Sequence, residues 1–455
     1  MAVLTLSPQS RPIWPPRLCQ RGGSGNLLLT RPLKTRKFGS LEIFEEAKVL
    51  ELNAQVRDVD TNTLQLSKGL LDKILSKTVI VVPCKDEDLA IIRGVISAVP
   101  ASCLVLLVSN SKRGHDGQYK QELEIAKAFS SNGKRVLYIH QKDARAASAF
   151  QASGLPEVLN HAGGSIRNGK GEGMLLGIAV AAAFCPDQHY IGFVDADNLN
   201  PGSVTEYCAA FAAGFAMSAM SASPEAEHSM VRLKWASKPK ERSNGRFEFV
   251  TEGRCSRIVN SWLNKLFAPG FTDTPFITTG NAGEHAMTMG LAVKLRMAAG
   301  YAIEPFHFVD MLARGHLVTP EGTQAHARLC PNTLPSLDKP VRVVQIRTLN
   351  PHYHRASDDE HIRRMWAAGL GSIYHGLAPY RSVAGSDECA LLKLSRDMHD
   401  FAATHDGLDQ SSGELPRPRV YPALENMDLQ VFREVLGPSL GFGSVRSAGL
   451  ETWSY

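Results

Sequence analysis

His189-Tyr-Ile-Gly-Phe-Val-Asp195-Ala-Asp197 is an apolar, strand-forming run that stops on two carboxylates one residue apart. In an open α/β sheet, ligands collect at the carboxyl ends of the strands. A single intervening residue lets both aspartates reach one side of the strand end. Hard oxygen ligands of this kind hold Mg²⁺ or Mn²⁺ and leave coordination positions free for phosphates. Asp-x-Asp is equally ordinary turn chemistry, so the neighbouring segments decide its meaning.

Working toward the N-terminus, Val79-Ile-Val-Val82 reads as a strand ending at Pro83, followed by a helix from Glu87 to Ala98. Leu104 to Val108 is a second strand that stops at Ser109-Asn-Ser111. A helix from Gln118 to Ser130, a strand from Arg135 to His140 and a helix from Gly171 to Phe184 complete the approach. Strand and helix in alternation predict an α/β fold with a Rossmann-like parallel sheet. Its strand ends carry Lys85-Asp-Glu-Asp88, Ser109 to Arg113, Gln141-Lys-Asp143 and the aspartate pair, more polar groups than turn-making requires.

Toward the C-terminus the pattern predicts a helix from Pro201, an edge strand from Met230 to Trp235 and a helix from Arg254 to Phe267. There follow a glycine-rich turn at Thr278 to Gly283, a helix from Glu284 to Ala299, a strand from Val341 to Ile346 and a helix from Glu360 to Leu377. The implied organisation is a basic, disordered leader over 1–40 and an α/β region over 41–240. A smaller half over 241–384 receives a second substrate, and 385–455 is an extension with loop-like segments and no readable motif.

The formal charge of +5 is misleading, because residues 1–41 hold seven Lys/Arg and no acid. From Glu42 onward 43 basic residues face 45 acidic ones, which argues against nucleic acid as a partner. No apolar run reaches the ~20 residues of a membrane helix; the Ala-rich stretch Tyr207 to Ala222 reads as a helix packed on a sheet. The eight cysteines are scattered without a Cys-x-x-Cys pair, as in a reduced cytoplasmic protein lacking structural zinc. The Arg-rich leader has organelle targeting as its alternative reading, which its five prolines oppose.

Gly164-Ser-Ile-Arg-Asn-Gly169-Lys170 has the spacing of a P-loop, but Gly171 stands where a Ser or Thr should meet magnesium. The better reading is a glycine turn at a helix start, where amides, dipole and Lys170 favour an anionic diphosphate; a solvated loop is the bland one. Gly280-Asn281-Ala-Gly283-Glu284-His285 puts an acid and a histidine after a turn that permits close backbone approach. Glu284 could serve only the helix dipole, and His285 could be a core histidine. His352 and His354 follow a strand, and either could bring an imidazole to the aspartates.

Together these segments resemble the mannosyl-3-phosphoglycerate synthases, a glycosyltransferase family of GT-A fold, from about Val79 to His375. The resemblance rests on Val82-Pro-Cys-Lys-Asp-Glu87, Val108-Ser-Asn-Ser-Lys-Arg113, His140-Gln-Lys-Asp143, Gly169-Lys-Gly-Glu-Gly-Met174 and Gly192-Phe-Val-Asp-Ala-Asp197. It continues in Met230 to Lys240, Thr279 to Met289, Asn350-Pro-His352 and Glu360-His-Ile362. It implies transfer of mannose from GDP-mannose to D-3-phosphoglycerate with retention of configuration, on the route to mannosylglycerate.

Carried over to this chain, the resemblance makes Asp195 and Asp197 the metal motif. Asp197 and His352 would be direct ligands of Mg²⁺, Mn²⁺ or another divalent cation. Pro83, Lys85, Glu87, Ser109, Asn110, Lys142, Asp195 and Ala196 would hold the donor, with Lys170 on its diphosphate. By analogy with glucosyl-3-phosphoglycerate synthases, Glu284 would hold sugar hydroxyls, and Gly253, Arg254, Ser256 and Asn281 would form the acceptor site. Arg254 suits a phosphate or carboxylate bidentately.

Departures from the family pattern are Arg347-Thr-Leu349, where an acid is expected, and Arg355 after His354 in place of Glu. The C-terminal region has no phosphatase Asp-x-Asp-Gly-Thr signature, which implies release of the phosphorylated product. Retention can follow from front-face attack or from a covalent intermediate on a carboxylate such as Glu284. A sugar-1-phosphate nucleotidyltransferase and a non-catalytic nucleotide-sugar sensor are the alternatives, and a homodimer is left open.

Overall fold

The computed structural model describes residues 25–437, apart from 115–116, 221–227, 242–243, 245, 268–274, 315–336, 355–357, 377 and 379–389. Five short strands open it: β1 (Asn26–Thr30), β2 (Thr35–Phe38), β3 (Leu41–Phe44), β4 (Ala47–Ala54) and β5 (Thr63–Leu66). The leader expected to be disordered through residue 40 is therefore built into the sheet from Asn26. Leu27, Leu28 and Leu29 are buried there, an apolar run that the surrounding basic charge obscured. Residues 1–24 lie outside the described residues.

After α1 (Lys68–Leu75) come β6 (Thr78–Cys84), α2 (Leu89–Ala98), β7 (Leu104–Ser109), α3 (Gln118–Ser131) and β8 (Val136–His140). The series continues with α4 (Ala144–Ala152), α5 (Lys170–Phe184), β9 (Tyr190–Phe193) and α6 (Pro201–Met220). β9, β6, β7 and β8 lie side by side and parallel, as the alternation requires. Val79 to Val82 are fully buried, the mark of a strand covered on both faces. Among the described residues no helix is long and apolar enough to cross a membrane.

The second half contributes β10 (His228–Lys234), the hairpin β11 (Lys238–Glu241) and β12 (Phe247–Val250), α7 (Arg254–Phe267) and β13 (His285–Thr288). It ends with α8 (Met289–Lys294), β14 (Met297–Ala298), α9 (Ile303–Arg314), β15 (Val341–Arg347) and α10 (Asp359–Gly376). The large sheet runs β5-β1-β4-β15-β10-β13-β9-β6-β7-β8.

Two expectations fail here. Met230 to Trp235 is not an edge strand, because β10 pairs parallel with β15 and antiparallel with β13. Arg232, in the middle of this strand, is fully buried. Nor is Glu284 to Ala299 one helix. The helix-favouring Glu-His-Ala-Met run is pulled into the slot between β9 and β10, where both neighbours offer antiparallel ladders, and only α8 remains helical. Tertiary pairing overrides local propensity at this point.

Apolar layers cover both faces of the sheet. Phe150, Met174, Leu176, Trp262 and Phe308 belong to one, and Ile92, Val95, Tyr207 and Phe211 to the other. The extension is more than loop. Helices Ala390–Thr404 and Leu429–Leu436 pack on the body, with Phe432 buried edge-on against Phe150 at 4.9 Å. A strand at Val420–Tyr421 pairs with β14, and the Tyr421 hydroxyl donates to Glu172 Oε1 at 2.7 Å.

Candidate active site

A cavity of about 790 Å³ opens at the carboxyl ends of β6, β7 and β9 and extends to the starts of α7 and α10. Pro83, Lys85, Glu87 and Asn110 line one end, where the donor nucleoside was expected. Lys170, Asp195, Ala196, Asp197 and His352 line the middle. Gly253, Arg254, Ser256 and Asn281, the expected acceptor residues, line the other end.

β9 stops at Phe193, and the Val194 amide still donates to Val81, so Asp195 is the first side chain free of the ladder. Lys170, the first residue of α5, places its Nζ 2.8 Å from Asp195 and 3.0 Å from Glu304. Burial opposes the ammonium, but Asp195, Glu304 and Glu284 outweigh it and hold its pKa well above the usual lysine value. Gly283 explains one glycine of the Gly-Asn-Ala-Gly turn. A Cβ there would sit 2.6 Å from Asp195 Oδ2 and 3.1 Å from Lys170 Nζ. Asp197 is as exposed as Asp195 but differently partnered: among the described residues it pairs with no lysine, and its Oδ2 is 3.8 Å from His354 Nδ1. Burial, reinforced by Asp195, pushes the Asp197 carboxyl up to about 6. Asp195 is thus committed to Lys170, while Asp197 is available to a ligand.

His352 follows β15 on a loop tied down by buried Glu206, which accepts from the Asn350 amide and its Nδ2, each at 2.8 Å. The imidazole stacks on Trp235, and Tyr207 Oη lies 3.0 Å from its Nδ1. Burial first, then His354 and Lys238, hold its pKa well below the usual histidine value. A neutral ring is the form that ligates metal. Among the described residues no group of three or more His, Cys, Asp or Glu side chains is arranged to hold a metal ion. Asp197 with His352 or His354 fits a cation that completes its coordination from phosphate oxygens and water, the usual habit of Mg²⁺.

Three expected residues do not line the cavity. Ser109 is buried and donates to Glu122 Oε2 at 2.6 Å, so it braces the loop that carries Asn110. Lys142 offers its carbonyl to Arg113 Nη1 at 2.9 Å from outside the wall. Glu284 is fully buried, accepting from Trp235 Nε1 at 2.9 Å and Asn198 Nδ2 at 3.4 Å. Burial, then Asp195, pushes its carboxyl up to about 7. His285 is a core residue, with its Nδ1 3.1 Å from the Ala282 carbonyl.

Arg254 opens α7 and its Nη1 lies 2.5 Å from Asp359 at the start of α10. Glu304, Tyr301 and Lys238 also line the cavity and were not singled out from the sequence. Glu304 and Tyr301 carried no local signal, whereas Lys238 sits in the Lys-Pro-Lys run just past β10. Arg355 lies outside the described residues, and Arg347, where an acid was expected, donates its Nη2 to the Ala236 carbonyl at 3.2 Å.

The sequence profile of the mannosyl-3-phosphoglycerate synthase family matches residues 31–436. The chain is 35% identical over 413 residues to the mannosyl-3-phosphoglycerate synthase of Pyrococcus furiosus, spanning 90% of this chain and 97% of that one. It is 34% identical over 351 residues to that of Aeropyrum pernix, spanning 77% and 85%. Among solved structures, glucosyl-3-phosphoglycerate synthase from Mycobacterium tuberculosis in complex with Mn²⁺, UDP and phosphoglyceric acid is similar at 17% identity and a TM-score of 0.42, over 68% of this chain and 82% of that one. The profile takes in every strand from β2 onward and every loop that lines the cavity. The chain therefore belongs to the mannosyl-3-phosphoglycerate synthase family and is a glycosyltransferase.

Proposed function

We propose that this enzyme transfers mannose from GDP-mannose to D-3-phosphoglycerate with retention of configuration, using a divalent cation such as Mg²⁺, in the cytoplasm. One observation carries the reading. Asp197, His352 and Lys170 converge in the middle of a single cavity whose two ends are lined by the nucleoside-side and Gly253–Ser256 residues.

In this reading residues 41–240 supply most of the donor site and 241–384 most of the acceptor site. Glu87 and Asn110 meet the nucleoside, while Asp197 and His352 hold the cation against the diphosphate. Arg254 and Ser256 grip an anionic group of the acceptor. When bound, the cation supplies electrostatic stabilisation of the departing diphosphate. Asp195 and Glu304 fix the Lys170 ammonium at the cavity floor. Glu284 lies behind the wall with each carboxylate oxygen engaged, which favours front-face attack over a covalent intermediate on that residue.

The test is incubation of the purified protein with GDP-mannose, 3-phosphoglycerate and Mg²⁺. GDP and a mannosyl-phosphoglycerate are expected, with EDTA abolishing both and added divalent cation restoring them. Pyrophosphate release from GTP and mannose-1-phosphate, without mannosyl transfer, would overturn the proposal.

A further inference from the structure

The cations of the cavity are not equivalent. Lys170 is held by two carboxylates, so with Asp195 and Glu304 it forms a group of net negative charge that has little left for an incoming diphosphate. Arg254 is paired with Asp359. Lys85 is exposed at the nucleoside end. Lys238 differs from all three. It is half-buried, lines the cavity, and among the described residues its side chain makes no hydrogen bond or ion pair. Its closest recorded contact is a ring: the Nζ lies 4.9 Å from the centroid of Trp235, whose other role is to stack on His352.

A partly desolvated ammonium without an anion is unfavourable, and the arrival of an anion relieves it. The charges felt at Lys238 define where that anion sits. Asp197 and Glu284 act on it from the cation side, while Cys255, in the first turn of α7 beside Arg254, is its neighbour on the acceptor side as a thiol that burial keeps protonated. Lys240 is its like-charged neighbour on the same strand and also lines the cavity. The register of the hairpin, Lys238 opposite Val250 and Lys240 opposite Glu248, sets the position of the pair. Lys238 thus stands between the place where the donor diphosphate is held and the place where the acceptor docks.

We propose that Lys238 is a catalytic residue that binds the sugar-bearing phosphate of the donor and stabilises the charge gathering there during transfer. This rests on the mannosyl-transfer reading above. The bond between the sugar C1 and the phosphate oxygen breaks with its electron pair going to that oxygen. The acceptor hydroxyl oxygen bonds to C1, and its proton passes to the departing phosphate. Lys238 keeps its own proton throughout and donates hydrogen bonds to the phosphate, a contact that strengthens as negative charge grows.

The experiment compares wild type with Lys238→Met and Lys238→Arg, measuring kcat, both KM values, and the Kd of GDP by calorimetry with Mg²⁺ present. Removing one preorganised donor at a developing oxyanion typically costs about 100-fold or more in kcat. Lys238→Met is therefore expected to lose about that much kcat and to bind GDP about tenfold more weakly, by the loss of one charged hydrogen bond. Its 3-phosphoglycerate KM should stay within about threefold of wild type, and Lys238→Arg should recover part of the kcat. Lys238→Gln replaces the Met variant if thermal melting shows that the latter does not fold. Unchanged kcat and GDP affinity, or a defect confined to the acceptor KM, overturns the assignment. If wild type transfers no mannose, the functional reading fails, while the GDP titration still reports whether Lys238 holds a diphosphate.

Discussion

Trp235 and His352 lie face to face, with ring centroids 3.9 Å apart and planes 6° from parallel. The same indole donates its N–H to buried Glu284, so one side chain orients the imidazole and satisfies a carboxylate behind it. Trp235→Phe keeps an aromatic face but leaves Glu284 short of a donor. We expect a loss of about 1–3 kcal/mol, read as a lower midpoint in urea unfolding. Trp235→Ala removes the stack as well, and the Mg²⁺ concentration for half-maximal turnover should rise by about tenfold or more. Unchanged Mg²⁺ dependence in the Ala variant would separate Trp235 from the cation site.

Gly283→Ala tests the close approach of the 278–283 turn to the Lys170–Asp195 pair. The added methyl would lie 2.6 Å from Asp195 Oδ2, so pair or turn must shift. A displacement of this kind near the reacting groups costs about 100-fold in kcat. The melting temperature should change far less than it does for a core deletion. A fully active Ala variant would mean that the position of Asp195 is immaterial.

Arg254→Ala should raise the 3-phosphoglycerate KM by about tenfold or more and leave the GDP-mannose KM near wild type, as expected for one lost charged hydrogen bond. Its partner Asp359 is 87% exposed at the side chain, so breaking that pair should cost less than about 1 kcal/mol of stability. Equal rises in both KM values would remove Arg254 from the acceptor end.

Arg232 is fully buried beneath the site. Its Nε donates to the Thr279 carbonyl at 2.9 Å and its Nη2 to the Glu304 carbonyl at 3.0 Å. Burial lowers its pKa to about 9, with Glu304 opposing the fall. A lysine cannot reproduce the fork. Arg232→Lys is therefore expected to lose about 2 kcal/mol or more in urea unfolding, from carbonyls left without donors. Wild-type stability in that variant would show that the guanidinium geometry adds nothing.

Much of the parallel half of the sheet was legible because its signals are short-range. Val79 to Val82, Leu104 to Val108 and Gly171 to Phe184 each carry a period or an apolar run that matches the element formed, and polar residues mark the strand ends. Asp195, Asp197 and Lys170 carried such signals, and His352 was joined to them by the family resemblance; all four line one cavity. Ser109 and Lys142 lie close to that cavity without lining it, since a strand end specifies where the chain surfaces but not which alternate side chain faces inward. Glu284 misled differently. The acid after a glycine turn looked like a helix start, whereas the segment is a strand that turns this carboxylate into the interior.

The sequence by itself determined the α/β alternation, the carboxylates at the end of β9 and the family, because periodicity and motif spacing are properties of neighbouring residues. Only the tertiary structure decided that β13 fills the slot between β9 and β10, that Glu304 shares Lys170 with Asp195, and that the C-terminal strand is pinned through Tyr421 to Glu172. It also decided that Lys238 lies half-buried against Trp235 with no carboxylate paired to it among the described residues. Pairing between segments far apart in the chain depends on the space and hydrogen-bonding groups left once the sheet has closed, and no local pattern records that.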